Sequence, residues 1–118
     1  MANCCINIVR ISGDKEQVKE FKELVGKEFD FNKVIPIETN SREESLEKWG
    51  CSSNAYDVIF EEKNATESEA TWVFITSWTP PRYIYQVLRD KFPDIFIYWR
   101  YEEPLMDLYG FLQKDEDI

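Results

Sequence analysis

Apolar positions along this chain of 118 residues change period several times, and each change predicts an element. Residues 4–11 are rich in β-branched side chains, with Ile6 and Ile8 on one face of a strand and Val9 and Ile11 on the other. Apolar side chains on both faces predict a central strand. From Asp14 the period becomes helical: Val18, Phe21, Leu24 and Val25 share a side until Gly26, and Asp14 and Gln17 stand at capping-box spacing. Phe29, Phe31, Val34 and Ile35 then lead to Pro36, which predicts a packed connection or a short strand ending at the proline. Residues 39–48 hold one large aliphatic side chain, Leu46, among polar and acidic ones, so a mobile insertion or a short solvated helix is expected there.

In the second half, 55–62 and 70–78 read as strands of a β-hairpin around the polar loop 63–69. Trp72, Phe74, Thr76 and Trp78 fall on one face of the second strand, and Val73, Ile75 and Ser77 on the other. Thr79 before Pro80 and Pro81 predicts a helix start, with Thr79 as cap, and the helix runs to about Phe92 with Ile84, Val87 and Leu88 inward and Pro93 beyond its end. A last long strand, 95–101, alternates Ile95, Ile97, Trp99 and Tyr101 against Phe96, Tyr98 and Arg100. Residues 108–112 add a short edge strand, and 114–118 read as a frayed end. The order strand, helix, strand, strand, helix, strand predicts an α+β sandwich of ferredoxin-like βαββαβ type, an antiparallel sheet with two helices on one face. The whole of 1–118 is expected to form one domain, with a polar acidic insertion at about 38–50.

Composition narrows the function. Apolar residues make up 43% of the chain and aromatics 15%, which fits a packed globular domain. With 14 basic and 23 acidic residues the net charge is -9, which disfavours direct contact with nucleic-acid phosphates. That charge leaves a solubilising surface, or an acidic face that meets a basic groove on another protein. No segment approaches the roughly 20 apolar residues of a spanning helix, and 1–13 lacks a signal-peptide pattern, so a cytoplasmic protein without membrane contact is expected. Cys4, Cys5 and Cys51 read as reduced, mostly buried thiols.

The absence of histidine removes the commonest general base and metal ligand, and the cysteines lack the paired spacing of a zinc site. The four glycines are isolated, so no phosphate loop or dinucleotide fingerprint is present. Neither a cofactor, a metal nor a catalytic residue is therefore expected. Acidic pairs stand at Glu43-Glu44, Glu61-Glu62 and Glu102-Glu103. Neighbours on a strand point apart, so solvated charge is the plain reading. Glu102-Glu103 differ in following an aromatic strand, where desolvation raises a carboxyl pKa. Trp49, Trp72, Trp78 and Trp99 either pack the core or line a pocket above that pair.

Several blocks carry a resemblance: Asn3-Cys4-Cys5-Ile6-Asn7 leading to Ser12-Gly13-Asp14, Phe29-Asp30-Phe31-Asn32-Lys33-Val34-Ile35-Pro36, Trp49-Gly50-Cys51 with Asn54-Ala55, Trp78-Thr79-Pro80-Pro81, and Tyr101-Glu102-Glu103-Pro104 with Tyr109-Gly110. Together they resemble the YubB ferredoxin-like domain family of phages and plasmids across nearly the whole chain. The resemblance implies a ferredoxin-like fold encoded on mobile elements, without an established biochemical activity, and it directs attention to Asn7, Trp49, Asn54, Trp78 and Glu102-Glu103. With the charge, it leads to the expectation of a non-catalytic acidic protein, anti-CRISPR-like, that inhibits a host defence protein or ribonucleoprotein complex by covering a basic nucleic-acid groove. The expected partner-binding residues are Glu43, Glu44, Glu47, Trp49, Asn54, Glu61, Glu62, Glu67, Glu69, Glu102, Glu103 and Asp107. Two other readings remain: a small-ligand or enzymatic domain using Glu102 and Glu103 beneath tryptophans, and a self-assembling protein that forms a homodimer by pairing a sheet edge with its copy.

Overall fold

A computed structural model describes residues 4–113. In chain order the elements are β1 (Cys4–Gly13), α1 (Lys15–Val25), α2 (Arg42–Trp49), β2 (Tyr56–Phe60), β3 (Glu69–Ser77), α3 (Arg82–Lys91), β4 (Ile95–Glu103) and β5 (Leu108–Phe111). The strands form one antiparallel five-stranded sheet in the order β2-β3-β1-β4-β5. The molecule is thus α+β with three α-helices among the described residues, one more than the sequence predicts. β1 is paired on both sides over nearly its full length, so it is a central strand as its sequence predicts.

One face of the sheet carries the core. Val9, Ile11, Trp72, Phe74, Ile97 and Trp99 are buried there beneath Val18 and Phe21 of α1 and Ile84 and Leu88 of α3. α1 begins as its sequence dictates, with the Asp14 carboxylate accepting from the Gln17 amide at 3.0 Å, and it ends at Gly26 with φ of +71°. The connection that follows is a packed loop with a 3₁₀ turn at Phe31–Lys33, and no strand forms in it. Its centre is Phe29, whose ring lies against those of Phe21, Phe31, Trp72, Phe74 and Trp99. Phe29 is held at φ of +51°, an unfavourable region for a bulky residue, and these aromatic contacts are what offset that cost.

Five expectations are corrected. The acidic insertion forms a short helix, one of its two expected forms, but not a wholly solvated one: Ser41 caps α2 by accepting from the Glu44 amide at 3.1 Å, and Ser45 and Trp49 are buried on its inner side. Trp78 does not share the face of Trp72, Phe74 and Thr76. β3 stops at Ser77, the Thr79 amide turns back to the Ser77 carbonyl at 2.9 Å, and Trp78 at φ of +72° swings out to 44% exposure. Thr79 does not cap α3, because its hydroxyl donates to the Gly50 carbonyl at 2.9 Å and the helix starts after Pro81. Within α3, Tyr85 joins Ile84 and Leu88 in the core while Val87 is only half-buried. β2 is also shorter than predicted, broken by an irregularity between Tyr56 and Ile59 where Asp57 takes φ of +50°. The expected fraying of 114–118 lies outside the described residues.

One polar cluster sits inside this apolar layer. The fully buried Asn7 donates from Nδ2 to the Thr76 hydroxyl at 3.1 Å and to the Cys5 carbonyl at 3.2 Å, and its Oδ1 accepts from the Trp99 indole at 3.0 Å. Thr76 passes the chain on by donating to the Thr79 carbonyl at 2.7 Å. Asn7→Ala leaves the Trp99 N–H and the Thr76 hydroxyl short of a partner, at about 1–3 kcal/mol for each stranded group. A loss of about 2–4 kcal/mol in unfolding free energy is expected, measured by urea unfolding with tryptophan fluorescence; an unchanged midpoint would show that the cluster holds nothing together.

Candidate functional site

The segment around Trp49–Asn54 is a structural knot. Trp49 is buried, and its indole donates to the Ile35 carbonyl at 2.8 Å. Gly50 closes α2 at φ of +89°, and a Cβ there would stand 3.0 Å from the Arg82 amide nitrogen, so glycine is required by both conformation and space. The Cys51 thiol donates to the Ser53 carbonyl at 3.1 Å, and the Ser53 hydroxyl accepts from the Ser77 amide at 2.9 Å. Asn54 accepts from the amides of Phe31 and Ala55 at 2.9 and 2.8 Å and donates to Asp30 at 2.9 Å. These polar groups are spent on joining α2, the Phe31 turn and β3, which accounts for Trp49 and Asn54 without a ligand.

Glu102 and Glu103 end β4, half-buried and pointing to opposite faces of the sheet. Glu102 lies 3.5 Å from Arg100. Of the four tryptophans, Trp49, Trp72 and Trp99 are core residues, so they form no lined pocket over the acidic pair. A cavity of about 450 Å³ does lie beside β4, bounded by Tyr85, Arg89, Ile97, Trp99 and Leu112, but neither glutamate lines it. Among the described residues no three cysteine, aspartate or glutamate side chains are grouped as a metal site needs.

The remaining acidic positions are distributed over separate elements. Glu43 and Glu47 are exposed on α2, Glu67 and Glu69 at the end of the β2–β3 connection, and Asp107 in the turn before β5. Three of the expected binding residues already have local partners. Glu44 accepts from the Thr39 hydroxyl and from the amides of Glu38 and Thr39, which hold its carboxyl below the usual range. Glu62 pairs with Lys27, whose ammonium likewise lowers the carboxyl. Glu61 accepts from the Asn64 amide at 3.2 Å and is half-buried. The acidic residues thus supply exposed charge at α2, at the hairpin and at the β4–β5 turn.

A larger feature lies on the face of the sheet opposite the helices. Register places Ile6, Ile8 and Arg10 of β1, Val73 and Ile75 of β3, Tyr56 and Ile59 of β2, Phe96, Tyr98 and Arg100 of β4, and Tyr109 and Phe111 of β5 together there. Ile59 is 60% exposed, Phe96 63%, Tyr109 68% and Phe111 50%. The arginines lie on rings, Arg10 at 5.9 Å from the centroid of Tyr98 and Arg100 at 5.1 Å from that of Tyr109. Tyr98 and Phe111 meet edge to face at 5.6 Å. Sequence reasoning passed over this surface, although its signal was present: Phe96 and Tyr98 alternate with an inward row that is itself apolar, and helices on one side leave the other row in solvent.

No protein-family model, curated protein or solved structure matches the chain. Among the described residues no helix is long and apolar enough to cross a membrane.

The thiols give a direct check on the site geometry. Cys4 is exposed beside the Tyr56 hydroxyl at 3.6 Å, whereas burial pushes Cys5 up to about 11 and Cys51 up to about 12. At most one thiol per chain is expected to react with an aromatic disulfide reagent in the native protein, and three after unfolding. The unfolded chain sheds these protons from about pH 9 while the folded protein holds them to about 11, so the stability these two neutral thiols contribute is full below pH 9 and declines above it. Urea titrations at pH 8 and pH 10 test the sign, and Cys51→Ser should flatten the dependence.

Proposed function

We propose that this chain is a non-catalytic acidic binding protein of a mobile genetic element, acting in the cytoplasm, that inhibits a host defence complex by occupying a basic nucleic-acid groove. The observation that carries the reading is the exposed acidic charge on a chain of net charge -9: Glu43 and Glu47 on α2, Glu67 and Glu69 at the hairpin, and Asp107 at the last turn project from a scaffold with a continuous apolar core. Carboxylates carried on a folded scaffold present favourable charge to a lysine- and arginine-lined surface without the cost of ordering the backbone on binding. Glu103, half-buried at the end of β4, extends the same charge toward the sheet end.

The ferredoxin-like assignment belongs with this proposal. Two features support it: the order β2-β3-β1-β4 with β1 in the middle, and the connection of β1 to β2 and of β3 to β4 through helical segments on one face. α2 and β5 are then additions to that plan. The resemblance to YubB domains supplies the mobile-element setting.

A bacterium with an active CRISPR defence provides the test. Expression of the protein is expected to restore plating of a phage that the defence targets, and the quadruple reversal Glu43→Lys, Glu47→Lys, Glu67→Lys, Glu69→Lys is expected to abolish the effect while leaving the far-ultraviolet spectrum unchanged. Binding to the purified effector should weaken steeply with added salt. Plating that stays suppressed with the wild-type protein, or protection that survives charge reversal, overturns the reading.

A further inference from the structure

We infer that the face of the sheet opposite the helices, which no described element covers, is a dimerisation surface whose occupant is the same face of a second copy of this chain. Ile59, Phe96, Tyr109 and Phe111 are each at least half exposed and are joined by Ile6, Ile8, Val73, Ile75, Tyr56 and Tyr98 in one continuous apolar layer. Isolated exposed apolar residues are ordinary on a protein surface, but a contiguous layer spanning all five strands marks an interaction site.

Area and charge select the occupant. β1, β3 and β4 run for 10, 9 and 9 residues, and β2 and β5 for 5 and 4. At about 3.3 Å per residue and about 4.8 Å between strands, with the short outer strands allowed for, the face covers about 600 Å². Two such faces bury about 1,200 Å², the lower end of what stable protein interfaces use. The charged strand positions on this face are Arg10 and Arg100 against Glu69 and Glu102, so it is locally balanced on a chain of net charge -9. A self-contact through it therefore brings no excess of like charge together, whereas a nucleic acid stacking on the rings would bring its phosphates against an acidic protein.

A basic groove, for its part, would find little net acid on this face. The two-fold pairing of identical faces is self-complementary, and it leaves the α2 carboxylates Glu43 and Glu47 on the outside. The dimer goes beyond the binding function proposed above by presenting two copies of the Glu43 and Glu47 pair.

Sedimentation velocity and light scattering from low to high micromolar concentration test the inference. The wild-type chain is expected at twice 14.1 kDa, and Ile59→Glu with Phe96→Glu is expected to reduce the mass to 14.1 kDa with an unchanged far-ultraviolet spectrum. Leu46→Glu, an exposed change on α2 on the helix side of the sheet, should leave the dimer intact. A monomeric wild-type chain across the range, a larger assembly, or a dimer that survives the double substitution overturns it. The measurement uses no target, so its failure is separable from failure of the charge-based function: a monomer that still restores plating refutes only the dimer.

Discussion

The buried amide of Asn7 is the constraint on which the rest of the structure turns. It lies in the middle of the central strand, with Trp99 of β4 hydrogen-bonded on one side and Thr76 of β3 on the other. Hydrophobic burial is non-directional and tolerates slippage, whereas a satisfied buried amide permits one register. Shifting either neighbouring strand by one residue would strand polar atoms in the core and turn Trp72 or Trp99 outward. Thr76 carries the same constraint past the end of β3 to Thr79, whose hydroxyl reaches the Gly50 carbonyl at the end of α2. Sheet register, the start of α3 and the end of α2 are thereby locked through a few side chains.

Around that point the two faces of the sheet take different work. The helical face is closed by aromatic packing around Phe29. The opposite face keeps its apolar row in solvent. Glu43 and Glu47 stand on α2, on the covered side, whereas Glu69 shares the open face with Arg10. The strained backbone at Asp57, Trp78 and Asp107 marks the places where the chain leaves one role for another: a bulged edge, the exit from β3 and the last turn.

Most of the fold was legible because its signals are local. Alternation marked β1, β3 and β4, and the Asp14–Gln17 spacing marked α1. What misled was residue identity read without its partner. Thr79 has the chemistry of a helix cap, but a carbonyl 29 positions away in the chain competes for its hydroxyl. Trp78 has the parity of an inward residue, but the strand ends one position before it. Trp49 and Asn54 looked like surface chemistry because no local pattern explained them, and their hydrogen bonds go to Ile35, Asp30 and Phe31.

By itself, the sequence determined the strongly acidic charge, the lack of histidine chemistry, the α+β class and the side each residue of β1, β3 and β4 would take, since charge is a sum and side-chain alternation is a property of each unbroken strand alone. Only the tertiary structure decided which of the two apolar rows would be covered. Helices can bury one face of a sheet, and the choice fell to the row that holds Asn7, Trp72 and Trp99, because their indoles and amide find partners inside. Ile59, Phe96, Tyr109 and Phe111 gain a shared surface only when β2, β4 and β5 are placed in one sheet, a pairing between distant segments that no window of the chain contains.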